Sequence, residues 1–176
     1  AMATTARLAE AGALVDNAAF AGHSLGEYTA LSAYGRVMPV ETTISIVFQR
    51  GSTMHSLVPR DADGASNYRM GALRPNQAGI KADEVEAYVK SISQETGEFL
   101  QIVNHNLAGV QYAVAGTIKG LDALAADARA KAKARGGKNP FMFVPGIDVP
   151  FHSEVLRPGV PEFRGRLLEL VPDDLD

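Results

Sequence analysis

A serine flanked by glycines lies between a short apolar run and a helix-forming stretch, and this feature limits the fold more than any other in the 176-residue chain. Residues 22–26 are Gly-His-Ser-Leu-Gly, a G-x-S-x-G pentapeptide. The apolar residues 18–22 predict a buried strand, and residues 25–34 predict a helix that Gly35 closes. A strand, a tight turn and a helix in this order are typical of an α/β fold that exposes the serine at the strand end.

The pentapeptide marks Ser24 as a candidate nucleophile. The backbone of such a serine is strained at a sharp turn, and side chains two residues away on either side would collide. The turn also places the hydroxyl at the positive end of the following helix, where the backbone N–H of Leu25 faces a developing oxyanion. A chance match is the alternative because the motif specifies only three positions, but the strand–turn–helix context favours the nucleophile.

A nucleophilic serine needs a base. The chain has four histidines, at positions 23, 55, 105 and 152. His23 abuts the serine on the turn, His55 lies at the edge of a predicted helix face, and His105 lies in a predicted connection between strands. His152 follows an apolar run C-terminal to the serine and is our candidate base, with a purely structural histidine as the alternative.

The stretch at residues 40–58 predicts an amphipathic helix with an arginine on its apolar side. The apolar arc comprises Val40, Ile44, Val47, Phe48, Met54 and Val58. Arg50 falls inside this arc, and an arginine is almost never fully buried without a partner. Three hypotheses therefore stand for its guanidinium: it extends to solvent, pairs with an internal carboxylate, or faces a cavity that receives an anion.

Residues 68–146 predict a small subdomain with the order β-α-β-β-α-β, which is the ferredoxin-like arrangement. Strands are predicted at 69–73, 99–103, 110–115 and 141–144, helices at 82–92 and 118–135, and a strand connection at 104–109. A helix beginning at Pro158 is predicted to follow. The fold class is thus α/β: a partial α/β-hydrolase-like subdomain, residues 1–67 and 147–176, with the ferredoxin-like subdomain inserted.

Composition excludes several classes of function. The chain has no cysteine, which removes disulfides, thiolate metal sites and a cysteine nucleophile. Its net charge of −3 argues against nucleic acid as a partner. No apolar run approaches the roughly 20 residues of a membrane span, and the N-terminus lacks signal-peptide features. We expect a cytoplasmic protein that binds no membrane and no metal.

Four segments of the chain, in order and spacing, resemble the malonyl-CoA:acyl-carrier-protein acyltransferases. They are residues 22–31 (GHSLGEYTAL), 49–51 (QRG), 103–106 (VNHN) and 149–153 (VPFHS). Residues 144–160 are most similar to the malonyl/palmitoyl transferase domain of fungal and actinobacterial type I fatty acid synthases. The resemblance covers nearly the whole chain.

The resemblance implies a role for each matching residue. Ser24 would form an acyl ester, with His152 as general base and then general acid, and Arg50 would pair with the malonyl carboxylate. His23 would line the acyl pocket, which Asn104 and Asn106 would border.

The implied reaction passes malonyl from coenzyme A to the serine and on to the phosphopantetheine thiol of an acyl carrier protein, and it returns long-chain acyl groups by the same route. It needs no metal or redox cofactor. The partners implied are malonyl-CoA, a carrier-protein domain and the other domains of a large synthase.

The family's domain normally begins with a Gly-Gln-Gly-Ser loop whose glutamine completes the oxyanion hole, and it extends past the histidine to groups that orient the imidazole. This implies an internal piece of a transferase domain, with weak or no turnover expected from the piece alone.

Other functions share parts of this pattern. A serine hydrolase such as a thioesterase would need an acidic residue between serine and histidine. Asp148 is available but lies only four residues before His152, and a hydrolase of apolar esters has no use for Arg50. Polyketide synthase acyltransferases share the core pattern. A non-enzymatic fragment that docks carrier protein is the third alternative.

Overall fold

The structure, a computed structural model, describes residues 2–15, 17–33 and 37–171. The chain forms two compact units. The first comprises Ala1–Thr53 and Gly159–Asp176, and the second comprises Met54–Pro158. Besides the predicted insert at 68–146, the second unit therefore includes the segments 54–67 and 147–158.

The described part of the first unit is helical. Its helices are α1 (Met2–Glu10), α2 (Leu25–Ala33), α3 (Val40–Ser56, whose last turn lies in the second unit) and α7 (Val160–Leu170). α1 packs against α2. Gly35, predicted to close α2, lies outside the described residues.

The second unit is built on one antiparallel sheet. Its elements are β1 (Tyr68–Leu73), α4 (Pro75–Ala78), α5 (Val85–Thr96), β2 (Leu100–Leu107), β3 (Gln111–Thr117), α6 (Ile118–Arg135) and β4 (Phe141–Phe143), followed by a 3-10 helix, Glu154–Gly159. The strands are ordered β2-β3-β1-β4, and every neighbouring pair is antiparallel. The sheet strands and the two long helices occur in the predicted order.

A hydrophobic core lies between this sheet and helices α5 and α6. Its fully buried members include Leu73, Val85, Val114, Leu121 and Leu124. α6 packs on three strands and α5 packs on β2, so the helices cover one face of the sheet as a second layer.

Local signals specify the ends of α6. The Thr117 hydroxyl accepts a hydrogen bond from the Gly120 N–H at 3.2 Å and caps the first turn. Gly136 ends the helix with φ of +73°, a conformation that glycine adopts without steric cost. The predicted helix at 118–135 is confirmed at both ends.

The predicted buried strand at 18–22 is wrong. Residues 18–21 are exposed and residues 18–22 are not part of any strand. An extended segment forms a strand only when a neighbouring segment pairs with its backbone groups, and the described residues of the first unit contain no strand to do so.

Several predicted boundaries also move. The helix predicted at 82–92 is α5, Val85–Thr96. The connection predicted at 104–109 is shorter, because β2 continues through two irregularities in register to Leu107 before it turns into β3. The last helix begins at Val160 instead of Pro158, which lies inside the preceding 3-10 helix.

The face of α3 predicted to be buried is largely exposed. Phe48 is 68% exposed and Ile44 57%, whereas Thr43, Ile46 and Thr53 are buried. Helical periodicity identifies an apolar face, but only the packing partners decide which face is covered.

None of the described helices combines the length and the low polarity that a membrane span requires.

Candidate active site

Ser24 lies on the turn that precedes α2, with its backbone in the left-handed region at φ of +52°. Few residues other than glycine adopt a positive φ, and the conformation is strained. The Gly26 N–H donates to the His23 carbonyl at 2.9 Å, and the Glu27 N–H donates to the Ser24 carbonyl at 3.1 Å. These bonds begin α2 directly after the serine, so the sharp turn that the pentapeptide predicts is present.

The two glycines of the pentapeptide differ in what they permit. A β carbon on Gly22 would overlap the carbonyl of Gly26 and the backbone nitrogen of Glu27. A β carbon on Gly26 would meet no atom within 4 Å. The absence of a side chain is therefore a steric requirement of the turn at residue 22 but not at residue 26.

Two further predicted site residues, His23 and Leu25, flank Ser24 on this turn. Leu25 is the first residue of α2, so its backbone N–H belongs to the positive end of the helix. The side chain of Ser24 is half-buried and that of His23 is exposed.

Arg50 lies on α3 and packs against α2. Its guanidinium carbon lies 5.8 Å from the centroid of the Tyr28 ring, a cation–π distance, and Tyr28 follows Ser24 by one helical turn. The Arg50 side chain is half-buried. This contact links Arg50 on α3 to α2, the helix that begins directly after the candidate nucleophile.

The exposed apolar side of α3 borders a cavity of about 340 Å³ within the first unit. Its walls are formed by Met2, Leu25, Thr29, Thr43, Ile44, Val47 and Phe48. The predicted apolar arc therefore contributes to an open groove beside α2.

His152 lies in the second unit, on a turn with left-handed backbone at φ of +61°. Its imidazole is exposed, whereas Val149, Pro150 and Ser153 around it are buried. The Ser153 hydroxyl donates to the Pro150 carbonyl at 2.6 Å, and the Phe151 N–H donates to the Val149 carbonyl at 2.9 Å. The histidine is the exposed residue of a tightly bonded turn.

An ion pair precedes this turn. Arg60 donates from Nη1 to Asp148 Oδ2 at 2.5 Å and from Nη2 to Asp148 Oδ1 at 3.3 Å. The hydrogen bond from Arg60 lowers the pKa of the Asp148 carboxyl below its usual value, and the nearby charges of Arg69 and His55 act in the same direction. Sequence reasoning missed Arg60 because its partner is 88 residues away and no periodic pattern links the two.

Asn104 and Asn106 lie on strand β2, and not in the predicted connection. His105 lies between them, 3.1 Å from Glu86 Oε1 through Nε2 and edge-on to the Tyr112 ring at 5.0 Å. β2 continues through two shifts in its register against β3, and all three residues lie in this irregular part of the strand.

The predicted site residues divide between the two units. Ser24, His23, Leu25 and Arg50 belong to the first unit, and His152, Asn104 and Asn106 belong to the second.

Comparison with known protein families gives one match over most of the chain. Residues 1–135 match the family described as "Acyl transferase domain". This range includes both glycines of the turn, Ser24 and Arg50.

Curated relatives are subunits of fungal fatty acid synthases. The chain is 38% identical over 190 positions to the fatty acid synthase beta subunit TOXC of Cochliobolus carbonum, covering 89% of this chain and 9% of that protein. It is 33% identical over 197 positions to the fatty acid synthase subunit beta of Saccharomyces cerevisiae, covering 89% of this chain and 10% of that protein. The chain thus spans about a tenth of these relatives.

Solved structures with the same fold are shorter than the synthase subunits, and this chain spans about half the length of each. FabD from Acinetobacter baumannii aligns with a TM-score of 0.72 and 26% identity over 97% of this chain and 49% of its own. The malonyl CoA-acyl carrier protein transacylase of Coxiella burnetii aligns equally well, with 26% identity over 97% and 48% of the two chains. A malonyl-transacylase in complex with a type II polyketide acyl-carrier protein aligns with a TM-score of 0.72 and 25% identity, over 97% of this chain and 49% of that one.

Proposed function

Because the chain belongs to the acyl transferase domain family, we propose that it moves malonyl groups from coenzyme A to the phosphopantetheine thiol of an acyl carrier protein through an ester on Ser24. The observation that carries the proposal is the left-handed backbone of Ser24 directly before α2, with Gly22 packed against the Gly26 carbonyl. This strain is typical of a nucleophilic serine.

The reaction has two matched halves. In the first, Ser24 Oγ attacks the malonyl thioester carbonyl while His152 takes the hydroxyl proton. The tetrahedral oxyanion is stabilised by the Leu25 N–H. Coenzyme A then leaves as its thiol with the proton from His152, and the seryl ester remains.

In the second half the carrier thiol gives its proton to His152 and attacks the ester carbonyl. Ser24 leaves and takes the proton back, so both groups return to their starting states. The exchange of a thioester for an ester and back needs no cofactor in this scheme. Long-chain acyl groups would follow the same route in reverse.

Arg50 is proposed as the residue that selects malonyl. Its planar guanidinium can bind the free carboxylate of malonyl by two parallel hydrogen bonds. The cation–π contact with the Tyr28 ring supports this role because it holds the guanidinium near α2 without using its N–H groups. His23, Asn104 and Asn106 are proposed to border the acyl group.

We propose that the two units have the subdomain folds that the sequence predicts. The β-α-β-β-α-β order and the strand order β2-β3-β1-β4 support a ferredoxin-like subdomain in the second unit. The serine turn before α2 supports an α/β-hydrolase-like subdomain for the first. The predicted subdomain boundaries at residues 67/68 and 146/147 stay predictions. The predicted location in the cytoplasm stays a prediction as well.

Similarity to fungal fatty acid synthase beta subunits supports a place within a large synthase and favours fatty acid over polyketide synthesis. The aligned complex of a malonyl-transacylase with its acyl-carrier protein supports a carrier protein as the acceptor. Partner, donor and pathway are all part of the proposal.

A serine hydrolase is the less well supported alternative. It would need an acidic residue to orient His152, and Asp148, the acidic residue nearest in sequence before it, binds Arg60 through both carboxylate oxygens.

The test is the intact mass of the chain after brief exposure to malonyl-CoA. We expect a slowly formed malonyl adduct that disappears in Ser24→Ala and forms far more slowly still in His152→Ala. Water-dependent loss of the adduct at the rate of a thioesterase would favour the hydrolase. The absence of an adduct on a folded chain would contradict the proposal for this chain. Labelling of such a chain by an alkyl fluorophosphonate would show that Ser24 is activated and that malonyl-CoA is a poor donor, whereas no labelling would show that the serine is not activated.

A further inference from the structure

We propose that Arg60 and Asp148 are positioning residues for His152, because their two-point ion pair anchors one end of the turn that presents the imidazole. The inference rests on the proposed function, in which His152 is the base. All the contacts that carry it lie within the second unit.

The turn at residues 149–153 needs an anchor at each end. His152 adopts a left-handed backbone, a conformation that a non-glycine residue keeps only when its surroundings hold it. Val149 and Pro150 are buried, and the short bonds inside the turn link near neighbours only. Bonds within a turn set its shape, but contacts outside it set where the turn lies and where its exposed residue points.

The C-terminal anchor comes from the sheet. The Glu154 N–H donates to the side-chain oxygen of Gln101 at 2.9 Å, and Gln101 lies on β2. This bond ties the residue two positions after His152 to the strand that also holds Asn104.

The N-terminal anchor is Arg60. Its guanidinium binds both oxygens of Asp148, and Nη1 also donates to the Gly64 carbonyl at 2.8 Å. The surrounding loop is itself bonded: the Asp61 carboxylate accepts from the N–H groups of Asp63 and Ala65. Arg60 is thus presented by a closed loop, and its side chain is only 17% exposed.

Charge makes the carboxylate the more sensitive member of the pair. Asp148 lies in the field of Arg69 and His55 as well as Arg60. Asp148→Asn removes the negative charge that interacts with Arg60, Arg69 and His55. In Arg60→Gln the Asp148 carboxylate keeps its electrostatic attraction to Arg69. We therefore expect the asparagine variant to release the turn more than the glutamine variant.

The test uses the whole chain and two independent measurements. Amide hydrogen exchange of peptides covering residues 148–154 reports the turn itself. The rate of Ser24 acylation by malonyl-CoA, followed by intact mass across pH and donor concentration, reports the base. The variants are Asp148→Asn, Arg60→Gln and the conservative Arg60→Lys, and Lys81→Gln is the control because it removes an exposed ion pair with Glu84 in the same unit.

We expect at least tenfold faster exchange in the turn of Asp148→Asn and at least a tenfold lower maximal acylation rate. The half-saturating malonyl-CoA concentration should stay within about twofold of the wild-type value, because the substitution does not touch the donor site. The pH profile of acylation should move, because the substitution changes how the proposed base is held. Arg60→Lys should recover part of both effects, and Lys81→Gln should match the wild-type chain.

Two results would overturn the inference. One is wild-type exchange and acylation in both Asp148→Asn and Arg60→Gln. The other is faster exchange with unchanged acylation, which would make the pair merely structural. If Asp148→Asn does not fold, Arg60→Lys decides by the same criteria. If the wild-type chain forms no adduct, the proposed function fails while the exchange measurement still decides whether the pair holds the turn.

Discussion

The α carbon of Gly22 faces the backbone carbonyl of Gly26 so closely that a β carbon at residue 22 would overlap both carbonyl atoms. The chain folds back on itself over four residues, and Ser24, midway between them, takes up the reversal with a positive φ. A backbone contact of this kind cannot relax by rotating a side chain. It therefore links the composition of the pentapeptide directly to the conformation of the serine.

The first prediction concerns Gly22→Ala. The added methyl group must displace the first turn of α2, so we expect destabilisation of about 2 kcal/mol or more, together with loss of serine labelling by an alkyl fluorophosphonate. Gly26→Ala is the matched comparison for stability, because its β carbon meets open space, and it should stay within about 1 kcal/mol of the wild-type chain. Thermal unfolding measures both, and equal midpoints for the two variants would contradict the steric argument.

The second prediction concerns Arg50. Loss of a charge-assisted bidentate pair costs about 2–3 kcal/mol, so Arg50→Ala should slow malonyl transfer to Ser24 roughly 100-fold. Acetyl-CoA carries no free carboxylate, and its transfer should change little. Arg50→Lys restores the charge without the planar fork and should recover malonyl transfer only in part. The two donors are compared by intact mass, and an equal loss for both would assign the arginine a structural role.

The third prediction concerns the pH dependence of Asp148. Its carboxylate has a lowered pKa in the folded chain because Arg60 donates to it. The stabilisation is therefore complete above the ordinary aspartate pKa of about 4 and is lost as the pH falls through the lower folded value. Urea unfolding should show Asp148→Asn to be less stable than the wild-type chain at pH 7, with the gap closing below pH 4. A gap that is constant across pH would exclude the ion pair as its source.

The fourth prediction concerns Tyr88 on α5, whose hydroxyl donates to Asp127 on α6 at 2.7 Å. Burial and this hydrogen bond raise the pKa of Tyr88 above its usual value, while Lys131 also bonds the carboxylate. Tyr88→Phe should destabilise the chain by about 1–2 kcal/mol at pH 7. Because a raised tyrosine pKa stabilises fully below the ordinary value of about 10 and progressively less as the pH rises above it, the difference should shrink at higher pH. Denaturant unfolding at pH 7 and pH 11 measures it, and a gap that widens at pH 11 would contradict the assignment.

Where neighbouring residues dictate a conformation, the sequence was sufficient. The Thr117 cap and Gly136 bound α6 at the predicted residues. The helix predicted at 82–92 buries Val85, Val89 and Ile92, which are spaced as one face of a helix. These signals act over one or two helical turns, within the reach of a periodic pattern.

Burial in the first unit could not be predicted in the same way. An apolar arc on α3 is a property of the helix, but the exposure of Ile44 and Phe48 depends on what packs beside them. The same holds for residues 18–22, whose composition suits a strand that the described structure does not form. Strand formation and burial are properties of pairs of segments, and one segment specifies only its own half.

The sequence by itself determined the turn at Ser24, because the glycine two residues before the serine decides whether the backbone can reverse there. The same local logic determined the two ends of α6 and the buried face of α5. Only the tertiary structure decided how His152 is held, since Arg60 and Gln101 reach its turn from distant parts of the chain. The choice among distant partners depends on the free energy of the whole fold, and no local pattern in a sequence records it.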